Sequence, residues 1–119
     1  MAADNDPAPA VQTKPSPTIH EAELASGPSG AVLWGPEIEV AAAAARRTAG
    51  LDVVVRGDET DANRRLASQI ESAVGPVVRG VPHRKSAGPL ALAHFQQVTP
   101  PPGGHTFYET DKRKARKKS

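Results

Sequence analysis

Three of the four histidines of this chain lie in one stretch that also holds basic residues and the only tyrosine. His83, His94 and His105 follow one another at intervals of eleven residues, and Arg84 and Lys85 come directly after the first of them. Histidine titrates near neutral pH and can act as a general acid or a general base. Arginine and lysine are suited to binding phosphate. This stretch is therefore where we predict the active site.

The chemistry that these residue types fit best is RNA cleavage without a metal. It needs a base for the 2′-hydroxyl proton, an acid for the leaving oxygen and a cation for the phosphate charge. The three histidines are the candidate catalytic residues, and Arg84 and Lys85 are the candidate phosphate ligands. Gln96 and Tyr108 are candidates for positioning the substrate. RNA is the expected partner, and this chemistry requires no cofactor.

Two other interpretations of the histidines are open. The three side chains could bind zinc, with Glu109 or Asp111 as an oxygen ligand. Zinc sites usually contain one closely spaced pair such as His-x-His, which this sequence lacks, so we favour the ribonuclease and predict no metal. Each histidine could also be structural, as His94 would be if it packed beside Phe95.

The prolines determine which elements can carry the histidines. Eleven residues are close to three helical turns, but the five prolines of this stretch exclude a continuous helix. Two extended segments are left, over 93–98 and 105–109, and the Pro-Pro-Pro-Gly-Gly sequence between them predicts a hairpin-like loop. Such a hairpin would bring His94 and His105 close to each other.

The 50 residues before the histidines read as helices that alternate with strands. Apolar repeats at helical spacing predict the helices, and β-branched runs predict the strands. In chain order we predict a helix over 36–49 that begins with Pro36, a strand over 51–55, a helix from Asp58 or Thr60 to residue 74, and a strand over 77–81. The predicted inner face of the first helix is Ile38, Ala41, Ala42, Ala45 and Ala49.

These elements predict an α+β fold in which two helices pack on a small mixed β-sheet. A strand, a helix and a strand within about 30 residues fit a βαβ crossover. With 119 residues the chain has room for one domain. Residues 1–30 are rich in proline and alanine without an apolar period, which predicts a disordered arm. We therefore expect the domain to cover 31–111 and a basic tail to cover 112–119.

The C-terminal tail holds six of the 15 basic residues and could bind nucleic acid through phosphate contacts. Its alternative role is to keep the chain in solution. Without those six residues, nine basic residues stand against 13 acidic ones, so the rest of the chain has a net charge of −4. The candidate nucleic-acid contacts of the tail are Lys112, Arg113, Lys114, Arg116, Lys117 and Lys118.

The composition excludes several classes of protein. The chain has no cysteine, which rules out disulfides and cysteine-ligated zinc. The N-terminus lacks the basic start and apolar run of a signal peptide, and no apolar run is long enough to span a bilayer. We expect a soluble protein without a membrane span, either cytoplasmic or delivered as an effector without an N-terminal signal peptide.

One segment resembles the C-terminal effector modules of bacterial polymorphic toxins of the Rhs or contact-dependent type. It reads Pro82-His83…Ala87-Gly88-Pro89…His94-Phe95-Gln96…Gly104-His105-Thr106-Phe107-Tyr108-Glu109. Many such modules are secreted nucleases, and a neighbouring immunity protein blocks each one. The resemblance implies that the three histidines are catalytic, that an immunity protein is a partner, and that the proline-rich arm links the domain to a carrier.

Overall fold

The computed structural model describes residues 16–80 and 88–118, which form a seven-stranded mixed sheet with two helices packed against it. The predicted α+β class is confirmed. In chain order the elements are β1 (Thr18–Leu24), β2 (Val32–Ile38), α1 (Val40–Thr48), β3 (Val53–Arg56), α2 (Thr60–Ser72), β4 (Val77–Gly80), β5 (Ala93–Gln97), β6 (Thr106–Tyr108) and β7 (Arg116–Lys117).

The strands lie in the order β4-β5-β6-β3-β1-β2-β7. The pairs β3–β6 and β2–β7 are parallel, and all the other neighbouring pairs are antiparallel. Strands β3 and β4 consequently run in the same direction and are joined by α2. This is the predicted strand–helix–strand unit, but the hairpin β5–β6 is inserted between its two strands.

The central strand β3 is buried on both faces of the sheet. Val53, Val54 and Val55 are all fully buried. Because side chains alternate along a strand, Val53 and Val55 pack with residues of the two helices, whereas Val54 packs on the opposite face beside Phe107 and Leu92. A strand covered on both sides reads as a continuous apolar run, which is why this one was recognisable from the sequence.

Strand β1 differs from the sequence prediction. It lies between β3 and β2, with Ile19 opposite Val55 and His20 opposite Val54. The predicted disordered arm is therefore wrong over Thr18–Leu24, and the folded domain begins well before residue 31. The strand has few large apolar side chains, so its pairing with two neighbours stabilises it more than its own composition would suggest. Residues 1–15 lie outside the described part of the chain.

Helix α1 also differs from its prediction, both in its start and in its inner face. Pro36 belongs to β2, at a point where the register with β1 shifts, and the helix begins at Val40. A proline fits such an irregularity because it has no N–H to offer the ladder. The buried side chains of α1 are Ala43 and Arg47, while the predicted inner residues Ala41, Ala42 and Ala45 are exposed.

Arg47 is buried because it forms a bidentate ion pair with Glu71 of α2. Its Nε lies 2.8 Å from Oε1 and its Nη2 lies 3.1 Å from Oε2 of Glu71, and neither side chain has any exposed surface. Gln97 and Thr106 donate further hydrogen bonds to the same carboxylate, at 2.6 and 2.7 Å. The Nη1 atom of Arg47 donates to the carbonyl of Gly103. This cluster joins both helices to the β5–β6 hairpin.

The hydrogen bonds around Glu71 keep its carboxylate ionised. Burial by itself raises the pKa of Glu71, but the hydrogen bonds from Arg47, Gln97 and Thr106, together with the charge of Arg47, outweigh it and lower the pKa below the ordinary value. A buried charge that is paired and fully hydrogen-bonded is tolerated, whereas an unpaired one is not. We therefore infer that these polar residues stabilise the fold.

The C-terminal segment is ordered where the structure describes it. Ala115 is buried on the sheet face opposite the helices, and its backbone N–H donates to Glu109 Oε2 at 2.8 Å. The next two residues form β7, and the N–H of Lys118 donates to the carbonyl of Trp34. The predicted basic tail therefore contains a two-residue edge strand, Arg116–Lys117, which the buried Ala115 anchors to the sheet.

Candidate functional site

The predicted hairpin is present and brings two of the three candidate histidines together. His94 of β5 is paired with Phe107 of β6, and His105 directly precedes β6. Both histidines therefore belong to the sheet face opposite the helices. Their rings lie edge to face, with centroids 4.8 Å apart and an interplanar angle of 77°. The predicted proximity of His94 and His105 is confirmed.

Asp52 completes the group beside His105. It directly precedes β3, and its Oδ1 accepts a hydrogen bond from the backbone N–H of His105 at 2.7 Å. The same oxygen lies 3.4 Å from His105 Nδ1, which is within ion-pair distance. The side chains of His105 and Asp52 are 33% and 19% exposed, so solvent reaches this end of the group.

Burial of His94 favours the neutral form of its ring. Its Nε2 lies 3.0 Å from Gln96 Oε1, and its Nδ1 lies 3.5 Å from the carbonyl of Leu92. Burial lowers the pKa of His94 below the ordinary 6.5, and the charge of His105 lowers it further. The hydrogen bonds and the charge of Asp52 raise the pKa only in part. A neutral imidazole has one nitrogen that can accept a proton.

Gly80 leaves the space that the His94 ring occupies. It lies opposite His94 in the β4–β5 ladder, and a Cβ atom at this position would overlap the Nε2 of that ring. Residues 81–87 follow directly after Gly80. The predicted site residues His83, Arg84 and Lys85 are among them and lie outside the described residues.

The two predicted substrate-positioning residues lie on opposite faces of the sheet. Gln96 shares the face of His94, and its Oε1 lies 3.0 Å from His94 Nε2. Tyr108 is buried on the helix side, where its ring stacks on Phe95 with centroids 5.6 Å apart. Because strand side chains alternate, Tyr108 faces away from the histidine pair, and its predicted role loses its geometric basis.

The fourth histidine is structural. His20 is buried, and its Nδ1 lies 2.9 Å from the carbonyl of Gly35. A carbonyl can only accept, so Nδ1 carries a hydrogen and donates it, and Nε2 lies 2.9 Å from the hydroxyl of Thr18. The ring packs edge-on against Trp34. The expectation that His20 lies in a disordered arm is wrong.

One of the two oxygen ligands of the zinc interpretation, Glu109, is already engaged in hydrogen bonds. Glu109 is buried, and its carboxylate accepts hydrogen bonds from Arg56 Nε and from the N–H groups of Gly57 and Ala115. Asp111, the other candidate ligand, is exposed. Within residues 16–80 and 88–118 no group of three or more histidine or acidic side chains is arranged to hold a metal ion.

The basic residues of the C-terminal segment have different surroundings. Arg113 donates to the carbonyl of Ala91, Lys114 to that of Gly57, and Lys118 forms an ion pair with Glu23 at 2.8 Å. Lys112, Arg116 and Lys117 are exposed. Strand β7 is separated from β6 by four strand spacings, or about 20 Å across the sheet. The basic strand and the histidine pair are therefore two separate features.

Two parts of the candidate site were missed by the sequence prediction. Asp52 was assigned to a strand, although a carboxylate at the start of a buried strand was an available signal. Gly80 was assigned to a strand as well, and a glycine inside a strand often marks the close approach of another group.

None of the helices in the described part of the chain is long and apolar enough to cross a membrane.

No family model, curated protein or solved structure matches the chain.

Proposed function

We propose that this protein is a small nuclease domain of the bacterial toxin type that cleaves RNA without a metal, with His94 and His105 as its acid–base pair. The observation that supports the proposal is the contact between these two rings beside the carboxylate of Asp52. Burial lowers the pKa of His94, and His105 is partly exposed beside a carboxylate. Acid–base cleavage needs a base and an acid close together.

The proposed reaction is an internal displacement at phosphorus. Neutral His94 takes the proton of the 2′-hydroxyl, and the 2′-oxygen forms a bond to phosphorus. The bond between phosphorus and the 5′-oxygen breaks as protonated His105 gives that oxygen its proton. The products are a 2′,3′-cyclic phosphate and a 5′-hydroxyl, and the two histidines end in exchanged protonation states.

The phosphate charge requires a cation close to the pair. Arg113 contacts the 88–92 segment, which directly precedes β5, but its guanidinium already donates to the carbonyl of Ala91. Arg84 and Lys85 stay the predicted phosphate ligands, and they follow Gly80, which lies against His94, by only four and five residues. Replacing Arg84 and Lys85 should weaken RNA binding and should have little effect on the protonation of His94 and His105.

The decisive experiment is RNA cleavage in the presence of a chelator. The wild-type chain should cleave RNA, and His105→Ala or His94→Ala should lower the rate about 100-fold or more, in line with the usual contribution of general acid–base catalysis. Urea unfolding of each variant controls for loss of the fold. Activity that disappears with chelator, or that survives both substitutions, contradicts the proposal.

The toxin aspect has its own test. Expression of the wild-type chain in a bacterium should arrest growth, and His105→Ala should restore it at the same protein level. A neighbouring gene for an immunity protein should protect the cells. Harmless expression of a wild-type protein that cleaves RNA in vitro would remove the toxin interpretation and leave the nuclease.

A second candidate is a non-enzymatic protein that binds nucleic acid through its basic C-terminal segment. The observation that favours it is that Arg116 and Lys117 are exposed on an ordered edge strand. Replacing both by Gln should weaken binding and reduce its salt dependence by about two phosphate contacts. Deleting the segment is a poor test, because Ala115 is part of the core. Binding that depends on these residues without any cleavage would favour this candidate.

A further inference from the structure

We infer that Asp52 is a positioning residue that holds the imidazole of His105 with Nδ1 toward its carboxylate and leaves Nε2 free to exchange a proton with substrate. The inference rests on the proposed function, because it names the nitrogen of His105 that would exchange a proton with RNA. The orientation of the ring itself is a property of the folded chain and can be measured without any substrate.

The backbone around His105 is fixed relative to Asp52. The N–H of His105 donates to Asp52 Oδ1 at 2.7 Å, and the carbonyl of His105 accepts from the N–H of Val53 at 3.2 Å. Both contacts arise because β3 and β6 run parallel side by side. Asp52 and His105 are therefore held next to each other at the start of two buried strands.

Gly104 allows this close approach. Its φ angle of +84° lies in the left-handed region, which side chains other than glycine rarely adopt. A Cβ atom there would lie 3.1 Å from Asp52 Oδ1 and 2.9 Å from the carbonyl of Gly50. The position before His105 is thus restricted to a residue without a side chain. With glycine there, the loop can place His105 next to the carboxylate of Asp52.

The chemistry of the two groups determines which nitrogen of His105 carries the proton. An ionised carboxylate can only accept hydrogen bonds. His105 Nδ1 is buried and has no hydrogen-bond partner among residues 16–80 and 88–118, and the nearest acidic oxygen is Asp52 Oδ1 at 3.4 Å. A lone pair on Nδ1 would face a negative charge, whereas an N–H would be attracted to it. In neutral His105 the proton therefore belongs on Nδ1, and the lone pair belongs on Nε2.

The first test is the tautomer of His105, read from the ¹⁵N chemical shifts of its ring in the full chain. The wild type should show a protonated Nδ1 and an unprotonated Nε2 when the ring is neutral. Asp52→Asn keeps an oxygen acceptor and should retain this tautomer, whereas Asp52→Ala should give a mixture of both forms. A wild type with its proton on Nε2, or an Asp52→Ala variant with an unchanged tautomer, overturns the inference.

The second test separates the role of Asp52 from the proposed function. If the chain cleaves RNA, Asp52→Ala should lower kcat about 10-fold with little change in KM, a part of the usual acid–base contribution, and Asp52→Asn should retain most of kcat. The matched control is Asp58→Ala, which removes the same side chain about 20 Å away beyond the other end of β3 and should leave kcat unchanged. Equal loss in Asp52→Ala and Asp58→Ala overturns the inference. A wild type that cleaves no RNA refutes the proposed function, and the tautomer then decides the role of Asp52 alone.

Discussion

The polar residues on the two faces of the sheet differ in how completely they are hydrogen-bonded and in how far they are exposed. On the helix face, Arg47 and Glu71 are fully buried and the carboxylate accepts four short hydrogen bonds. On the opposite face, His105 and Asp52 are partly exposed, and the buried Nδ1 of His105 lies 3.4 Å from the carboxylate without a hydrogen bond. The first group is closed to solvent, and the second is open to it.

This difference separates the polar residues that stabilise the fold from those of the candidate site. Groups that satisfy one another completely in the interior hold the elements together and cannot take up a substrate without breaking the core. Groups that are incompletely bonded and reach solvent can accept a new partner, which is where chemistry is expected. Both groups contain residues of β5 and β6 or their flanks, so the same hairpin serves stability on one face and the candidate site on the other.

The largest expected effect is a loss of stability when the buried ion pair on the helix face is broken. Arg47→Ala leaves the Glu71 carboxylate buried without its cation, which should cost about 3–5 kcal/mol of the free energy of unfolding. Arg64→Ala is the matched control, because Arg64 pairs with Asp61 at the surface and its loss should cost less than about 1 kcal/mol. Urea unfolding measures both variants. A similar small cost for the two would contradict the structural role of the buried pair.

The next effect is a dependence of stability on pH that distinguishes the two faces. The folded pKa of His94 is lowered, so the unfolded chain binds its proton first and stability should fall as the pH drops below 6.5. The folded pKa of Glu71 is lowered as well, so its contribution should be lost only as the pH drops below 4.5. The measurement is the free energy of unfolding from about pH 8 to about pH 3.

His94→Gln supplies the comparison for that measurement. The variant should lose the part of the decline that begins near pH 6.5 and keep the acid part that Glu71 causes. Identical pH profiles for the variant and the wild type would show that His94 ionises equally in the folded and unfolded chains. In that case its assignment as the neutral base would be wrong.

The smallest effect on stability should come from crowding the open face. Gly80→Ala places a methyl group against the His94 ring, which is half-buried and can move. We expect a loss of less than about 1 kcal/mol in stability but a clear fall in RNA cleavage. Gly103→Ala is the control, because nothing lies within 4 Å of a Cβ at that position. If Gly80→Ala leaves cleavage unchanged, the position of the His94 ring has no bearing on activity.

Local sequence patterns predicted much of the fold and half of the site. The β-branched run of β3, the helical repeat of α2 and the Pro-Pro-Pro-Gly-Gly loop were sufficient to predict those elements. The hairpin followed from the loop, and the contact between His94 and His105 followed from the hairpin. Each of these features depends on residues close together in the chain, so a short window of sequence contains the information.

The failures concern contacts between distant residues. Strand β1 has a polar composition and forms because β2 and β3 pair with it on both sides. Arg47 was not among the predicted inner residues of α1, but Glu71, 24 residues later, provides the partner that allows its burial. Asp52 joins the candidate site only because β3 and β6, 50 residues apart, run side by side. Composition and periodicity cannot report pairings of this kind.

The sequence by itself determined the strand β3, the helix α2, the strand β4 and the β5–β6 hairpin, and it showed which residues could exchange protons. Those properties follow from backbone preferences and side-chain chemistry at each position. Only the tertiary structure decided which face of the hairpin meets the helices, because alternation offers two equivalent faces and packing selects one. That selection buried Tyr108 and placed His94 and His105 together on the face where Asp52 lies beside His105.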